Sequence, residues 1–268
     1  MPTTLTIPFT TTERLFFDET WPLERLFLDI LTAGRPASLK NERLKPYTLS
    51  PIWLYRQRGV PAEEKQGHLV YQWRVSLLDD SLTGLFLDGL KATPTLKLNS
   101  HLLAIGPVKT QTQSYAQLAK TSQGSTRPPS ERYFNFEFMT PVILRRHGLP
   151  FPLPDPIAIF HHYLLAWDTF APRKLWININ VLDAIEAHLA LVEHQLETRQ
   201  VRPDGKAPKT GFLGQATYKM MAWEKLGSEF LETLHRLAHF AEFCGTGDLT
   251  ECGLGQTRYK HHRKTKRP

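Results

Sequence analysis

The sequence predicts an α+β protein made of two similar halves, and three observations support this fold class. Short stretches in which apolar and polar residues alternate, as in strands, are interleaved with stretches of helical apolar periodicity. Their order is strand, helix, strand, strand, helix, strand, and it occurs twice in the 268 residues. A polar stretch between the two sets, Thr121–Glu131, has the composition of a linker. Two βαββαβ units in tandem indicate two ferredoxin-like domains.

In the first half, the strand Leu5–Phe9 leads into the helix Trp21–Thr32, which places its apolar residues on one face. A pair of strands follows, then a helix that Asp80 can cap, then a closing strand. These elements are predicted at Ser50–Gln57, His68–Leu78, Asp80–Leu90 and Lys97–Pro107.

In the second half, Asp155 as N-cap and Pro156 at the first helical position predict a helix that ends near Phe170. A last strand is expected after a glycine-rich loop. The other predicted elements are the strands Tyr133–Met139, His188–Val201 and Gly211–Met221 and the helix Trp223–Phe243. We therefore expect an N-terminal domain at residues 1–122, a C-terminal domain at 132–257 and a basic tail at 258–268. Both domains have the architecture of RNA-recognition modules.

The net charge of +7 is concentrated at the C-terminal end, because the tail carries six cations and no acidic residue while the rest is close to neutral. Such a cationic arm suits phosphate contacts, which depend on salt and not on base sequence. A solubilising tail without a ligand is the alternative. The six cations are Arg258, Lys260, Arg263, Lys264, Lys266 and Arg267.

Composition also bears on the cellular location of the protein. No apolar run approaches the ~20 residues that a membrane helix needs, and the first residues lack the pattern of a signal peptide. The two cysteines, Cys244 and Cys252, are too few for a disulfide framework. We therefore expect a cytoplasmic protein with no membrane partner.

The glycine-rich run Gly245–Gly255 has glycines at 245, 247, 253 and 255 and follows a predicted helix. It is no Walker loop, because the sequence G-K-[ST] before a helix is missing. It is no dinucleotide fingerprint either, since Thr250 stands where a third glycine is needed and no strand precedes it. Such a loop can present backbone N–H groups to phosphates. A glycine-rich hairpin without a ligand is the alternative.

Four stretches, in this order and spacing, resemble the CRISPR repeat-processing endoribonucleases of the repeat-associated (RAMP) superfamily, which have tandem ferredoxin-like domains and a C-terminal glycine-rich loop. The stretches are LKPYTLSP (Leu44–Pro51), FEFMTPVILRRHG with LPDPIAIFHHYLLAW (Phe136–Trp167), GFLGQATY (Gly211–Tyr218) and FAEFCGTGDLTECGLGQTR (Phe240–Arg258). The resemblance implies metal-independent cleavage of CRISPR precursor RNA within each repeat, without a cofactor. It further implies repeat RNA as partner and allows retention of the product for a CRISPR effector complex.

The reaction needs a base for the ribose 2′-hydroxyl, an acid for the leaving oxygen and a cation near the phosphoryl oxygens. Many family members have a histidine in the loop after the first helix and a tyrosine on that helix. Here the loop Gly34–Lys45 contains no histidine and Trp21–Thr32 contains no tyrosine. Lys45 matches the family's lysine, so we expect it to stabilise the phosphate, with Lys40 as acid or second cation.

The missing histidine leaves alternatives open. The basic loop can serve only to grip RNA, with Arg35 and Arg43 as further cations. The protein can then be a catalytically silent RAMP-type RNA-binding subunit of an effector complex. A general RNA-recognition protein outside CRISPR systems is a third interpretation, but no strand carries the aromatic motif of such modules.

RNA binding is predicted at the glycine loop (Gly245, Gly247, Gly253 and Gly255), at Arg258, and at the basic turn of a hairpin with Arg199 and Arg202. No metal site is expected. His235 and His239 have the four-residue spacing of a zinc pair, but they lie on a polar helical stripe that we interpret as a solvated face.

Overall fold

The computed structural model describes residues 1–12, 14, 22–32, 44–54, 69–98, 101–121, 132–203 and 207–260. The chain forms two compact units. The first contains Met1–Thr112 with Pro203–Lys206 and Thr250–Gly253, and the second contains the remainder. Residues 113–121, which the sequence expectation assigned to the first domain, thus pack with the second unit.

The first unit contains an antiparallel sheet with the strand order β2-β4-β1-β6-β5, in which β3 also pairs with β4 and β7 with β1. The sheet thus has the strand order of a ferredoxin-like fold. The second strand, which the sequence placed at Ser50–Gln57, is instead divided between Tyr47–Leu49 and Trp53–Leu54, and residues 55–57 lie outside the described residues. The strands are β1 (Thr3–Thr11), β2 (Tyr47–Leu49), β3 (Trp53–Leu54), β4 (Leu69–Leu77), β5 (Thr95–Leu98), β6 (His101–Ile105) and β7 (Lys109–Thr112), and the helices are α1 (Leu23–Thr32) and α2 (Ser81–Ala92).

Aromatic side chains join the helices of this unit to its sheet. The strand β1 alternates as its sequence predicts, and its inward side chains, such as Ile7, are fully buried. The Phe27 ring on α1 stacks on Tyr47 of β2 at 4.1 Å between centroids and on Phe86 of α2 at 4.9 Å. The apolar face of α1 is therefore held between the sheet and the second helix.

The second unit has a sheet with the order β11-β12-β8-β13, which is again the ferredoxin-like arrangement. Its elements are α3 (Tyr115–Thr121), β8 (Tyr133–Val142), β9 (Arg145–Arg146), β10 (Leu149–Pro150), α4 (Pro156–Phe170), α5 (Val181–His188), β11 (Leu189–Val201), β12 (Lys209–Met220), α6 (Trp223–Leu226), α7 (Ser228–Cys244) and β13 (Thr257–Lys260). The predicted α+β class with two ferredoxin-like units is confirmed.

Helix starts depend on local hydrogen bonds. The carboxylate of Asp155 accepts a hydrogen bond from the backbone N–H of Ile157 at 2.9 Å, so this residue caps α4 as predicted. Asp80, by contrast, makes no capping bond with its side chain. Its neighbour Asp79 accepts from the N–H of Ser81 at 3.0 Å instead.

Two predicted elements are divided in the structure. The predicted strand Lys97–Pro107 is a hairpin of β5 and β6, and the helix from Trp223 is interrupted at Gly227, where φ is +80°. The helix α5 was not predicted, and it includes His188, which the sequence pattern assigned to a strand. No helix among the described residues is long and apolar enough to span a membrane.

Close packing of α1 on α2 requires a glycine. A Cβ atom on Gly89 would lie 2.0 Å from the carbonyl oxygen of Ile30, whereas a Cβ on Gly84, on the same helix, would meet nothing within 4 Å. We expect Gly89→Ala to lower the free energy of unfolding by about 1–3 kcal/mol through overpacking. Gly84→Ala is expected to raise it by about 0.5–1 kcal/mol.

Urea denaturation of the two variants beside the unmodified protein measures both effects. Equal free energies of unfolding for the two variants would contradict the close approach of α2 to α1.

Candidate functional site

Lys45, the predicted phosphate-stabilising residue, lies two residues before β2 and faces the first turn of α1. Its Nζ is 3.8 Å from Oε1 of Glu24, and the two side chains are 28% and 31% exposed. This separation exceeds the roughly 2.7–3.2 Å of a direct hydrogen bond. The ammonium group thus pairs with the carboxylate but makes no direct hydrogen bond with its Oε1.

Tyr47 joins the same carboxylate from β2. Its hydroxyl donates to Oε1 of Glu24 at 2.8 Å, and its side chain is fully buried. Burial, followed by the hydrogen bond to Glu24 and the charge of that residue, raises the pKa of Tyr47 far above its ordinary value. The phenol therefore stays protonated at neutral pH and acts as a fixed donor that holds the Glu24 carboxylate in place.

The tip of the glycine-rich loop belongs to this site. Residues Thr250–Cys252 form a 3-10 helix that packs against β2 and α1, and Glu251 and Cys252 face Tyr47. Gly253 follows with φ +85°, and a Cβ there would lie 3.3 Å from the backbone nitrogen of Pro51. Two predicted site residues, Lys45 and Gly253, thus belong to the same unit.

The other loop glycines lie in the second unit, where they permit close backbone contacts. A Cβ on Gly255 would lie 2.0 Å from the carbonyl oxygen of Thr246, and one on Gly247 would lie 2.5 Å from that of Ile143. The N–H groups of Gly245 and Gly255 donate to the carbonyls of Ala241 and Pro141. The expectation that the loop offers bare N–H groups is therefore wrong at Gly245 and Gly255.

A chain of buried hydroxyl groups holds this part of the loop. The hydroxyls of Tyr163 and Thr246 are 2.6 Å apart, as are those of Thr246 and Thr257. Thr257 donates to the carbonyl of Gly255 at 2.9 Å, so each earlier hydroxyl can donate to the next one along the chain. Burial raises the pKa of Tyr163 well above its ordinary range, which keeps its proton in place.

Asp248 and Leu249 directly precede Thr250 in the glycine-rich loop. The carboxylate of Asp248 lies 3.3 Å from Nε of Arg145, and its backbone pairs with Ile143. Leu249 adopts φ +63°, in the left-handed region that costs a non-glycine residue about 1–2 kcal/mol. The negative charge at this place in the loop is thus paired with a cation from β9.

Two of the predicted RNA-binding arginines are paired with acidic residues. Arg258 lies in β13, and both it and Lys260 contact Oε2 of Glu137, at 3.3 and 2.9 Å. The start of the predicted tail, residues 258–260, is therefore part of the sheet. Arg199 contacts Glu197 at 2.8 Å, next to its own position on β11.

Arg202 is exposed and directly follows β11, as the predicted hairpin turn requires. Three predicted residues, Lys40, Arg35 and Arg43, lie outside the described residues, as does the tail after Lys260.

The sequence interpretation of the polar stripe on α7 as a solvated face is wrong at His235. His235 is buried, and its Nδ1 lies 2.7 Å from the Tyr259 hydroxyl, because β13 covers this side of the helix. His239 meets the edge of the same tyrosine ring. Among the described residues no group of three or more His, Cys, Asp or Glu side chains is placed to hold a metal ion.

The second unit also contains an open cavity of about 430 Å³ beside α5 and α7. Trp176, Val181, Phe230 and Arg236 are among its lining residues, and none of the predicted site residues lines it. Sequence reasoning gave no signal for this cavity, because α5 and the segment before it, which form one side, were not predicted.

The second half of the chain, which contains the glycine-rich loop, is similar in sequence to a known family. Residues 136–257 match the CRISPR-associated endoribonuclease Cas6 family. The matched range ends at the start of β13 and includes the entire glycine-rich loop. The resemblance to CRISPR repeat-processing endoribonucleases is thereby confirmed. No curated protein matches the chain in sequence.

Solved Cas6 structures share the fold of the whole chain. A Cas6 product complex superimposes with a TM-score of 0.77 at 24% identity, covering 97% of this chain and 100% of the other. Cas6 from Thermus thermophilus gives 0.72 at 23% identity, covering 97% and 98%. A RAMP protein that binds different RNA substrates gives 0.56 at 13% identity, covering 97% and 99%.

The loop geometry predicts that alanine substitution destabilises the protein more at Gly255 than at Gly148, although both glycines have a positive φ. Gly148 has φ +79°, and a Cβ atom there would meet nothing within 4 Å, whereas Gly255 has φ +63° and the close contact with Thr246. We expect Gly148→Ala to lower the free energy of unfolding by about 1–2 kcal/mol through backbone strain alone. Gly255→Ala should cost about 1–3 kcal/mol more through the clash.

Chemical denaturation of both variants separates strain from clash. If Gly255→Ala is no less stable than Gly148→Ala, the contact of Gly255 with Thr246 does not constrain the loop.

Proposed function

We propose that the chain is a metal-independent endoribonuclease that cleaves CRISPR precursor RNA within its repeats. The observation that carries the proposal is the Cas6 family match over residues 136–257, on a chain whose two units both have the family's fold. Structures of similar fold include Cas6 product and substrate-mimic complexes, which is consistent with RNA as the substrate of this chain.

The reaction proposed is attack of a ribose 2′-hydroxyl on the adjacent phosphate. The products are a 2′,3′-cyclic phosphate on one fragment and a 5′-hydroxyl on the other. RNA supplies the nucleophile itself, so DNA is not a substrate. Lys45 is partly exposed and can place its ammonium group against the phosphoryl oxygens as their charge increases.

The RNA contacts proposed here are made by Lys45, the loop tip at Gly253, the exposed Arg202 and the residues after Lys260. Arg258 can contribute only by exchanging its ion pair with Glu137 for one with phosphate. We retain Lys40, Arg35 and Arg43 as further proposed contacts. A CRISPR effector complex is the proposed recipient of the product.

The deciding experiment incubates the protein with labelled repeat RNA from its own CRISPR locus in EDTA. A second RNA carries a 2′-deoxy residue at the cut site. One discrete cut that leaves a cyclic phosphate, and that is absent in the deoxy RNA, supports the proposal. The absence of a histidine from Gly34–Lys45 favours a catalytically silent RNA-binding subunit as the second candidate, and tight binding without cleavage would establish it.

Replacement of Lys45 tests whether this residue stabilises the transition state of the cleavage reaction. We expect Lys45→Ala to lower the single-turnover cleavage rate by about 10²–10³-fold, as loss of one stabilising donor does, while the Kd for RNA changes by less than about threefold. Lys91→Ala is the matched control, because Lys91 is an exposed lysine of the same unit that pairs with Asp88. Equal losses of rate and affinity would show that Lys45 only grips RNA.

The contribution of the tail can be measured by truncation after Lys260, which leaves β13 and its ion pairs intact. The truncation removes Arg263, Lys264, Lys266 and Arg267. Each phosphate contact contributes roughly 0.7 to the slope of log affinity against log salt for single strands. We expect the slope to fall by up to about 3, and an unchanged slope would rule out phosphate contacts by these residues.

A further inference from the structure

Glu24 is the acidic group at the centre of the Lys45 site, and no sequence motif singles it out. It lies in the first turn of α1, and its side chain is 31% exposed. The buried Tyr47 hydroxyl and the Lys45 ammonium both approach the same oxygen, Oε1, at 2.8 and 3.8 Å. Within the part of the chain that the structure describes, Oε2 takes no hydrogen bond or ion pair.

This arrangement gives a carboxylate the geometry of a catalytic base. A base needs a fixed orientation, solvent access and an unoccupied lone pair within reach of the proton that it removes. Tyr47 supplies the fixed orientation, because it is fully buried and stacked on Phe27 at 4.1 Å. Partial exposure supplies the access, and Oε2 supplies the lone pair.

The first unit contains two histidines. His101 is buried on β6, and His68 lies outside the described residues. Lys45 cannot be the base while it carries its proton. The phenol of Tyr47 cannot be the base either, because its pKa is raised far above neutrality. Among the described residues, Glu24 supplies the carboxylate that pairs with Lys45.

We infer that Glu24 is the general base of the proposed cleavage reaction, an inference that rests on the proposed function. The 2′-hydroxyl transfers its proton to Oε2 of Glu24 as the 2′-oxygen forms its bond to phosphorus. Lys45 pairs with a non-bridging oxygen of the same phosphate. The bond from phosphorus to the 5′-oxygen breaks, and that oxygen takes a proton from solvent. Glu24 then releases its proton to solvent, so the enzyme returns to its starting state.

Glu24→Gln tests the role with little change in shape, because the amide oxygen can still accept from Tyr47. We expect the single-turnover cleavage rate to fall by at least 100-fold, within the range of about 10²–10⁴ for a lost general base. The Kd for repeat RNA should change by less than about threefold. Glu24→Asp, which retains a carboxylate, should recover part of the rate.

Asp29→Asn is the matched control on the same helix. Asp29 is 69% exposed and pairs with Arg25 at 3.9 Å, so its loss should leave the rate unchanged. If Glu24→Gln cleaves at the rate of the unmodified protein, or loses affinity as much as rate, the role is overturned. If the unmodified protein leaves the RNA intact while binding it, the proposed function fails and this role fails with it.

The pH dependence of the unmodified protein provides a second test that needs no variant. Carboxylate and ammonium groups ordinarily keep their charges between about pH 6 and 8, whereas histidine ordinarily titrates near 6.5. Among the described residues, the ionisable groups that contact Glu24 are Lys45 and Tyr47, and Glu251 and Cys252 interact electrostatically with that tyrosine. A rate that is constant across this range supports Glu24. A rate that falls tenfold per unit below about pH 6.5 would assign the base to a histidine and overturn the inference.

Discussion

The close approach of the glycine-rich loop to neighbouring backbone is the constraint on which the rest of the second unit depends. Gly255 and Gly247 allow carbonyl oxygens to come within a distance that no side chain would permit. The loop N–H groups of Thr246 and Asp248 then donate to Gly255 and Ile143. These contacts fix the direction in which the chain leaves α7 and enters β13. The glycines are needed for the shape of the loop before any contact with RNA is considered.

The same constraint explains the position of charges near the loop. Because β13 is held beside β8, Arg258 and Lys260 both reach Glu137. Exposed ion pairs of this kind contribute little to stability, about 0–1 kcal/mol, and they exchange readily for other partners. A phosphate group can therefore replace Glu137 at small cost. Arg258 and Lys260, which a count of charges in the sequence treats as free, are already paired in the structure.

Much of the fold follows from local sequence patterns. The alternation in β1 and β8, the cap at Asp155 and the apolar face of α1 were all sufficient to place their elements. The pattern failed where a single residue changes the backbone direction, as at Gly227, or where a short helix such as α5 precedes a strand without a break in composition. Boundaries of this kind depend on tertiary packing that a window of sequence does not contain.

Prediction of the candidate site from the sequence is limited in a similar way. Lys45 could be proposed from its motif, but Glu24 looks like an ordinary charged residue in the first turn of a helix. Its importance comes from contacts with residues more than twenty positions away, Lys45 and Tyr47, which only the packing of α1 on β2 brings near. His235 illustrates the opposite error. The sequence indicated an exposed polar residue, but a strand that follows later in the chain, β13, covers it.

The assignment of Thr250–Gly253 to the first unit has a consequence for how the protein can be divided. The first unit is not one continuous stretch of chain, because the 3-10 helix that packs against Tyr47 is contributed from near the C-terminal end. A fragment that stops in the linker would lack that covering segment beside Glu24 and Lys45. The two halves of the chain therefore cannot be produced separately without leaving the first unit incomplete, and the segment that packs beside the proposed catalytic groups is added only late in synthesis.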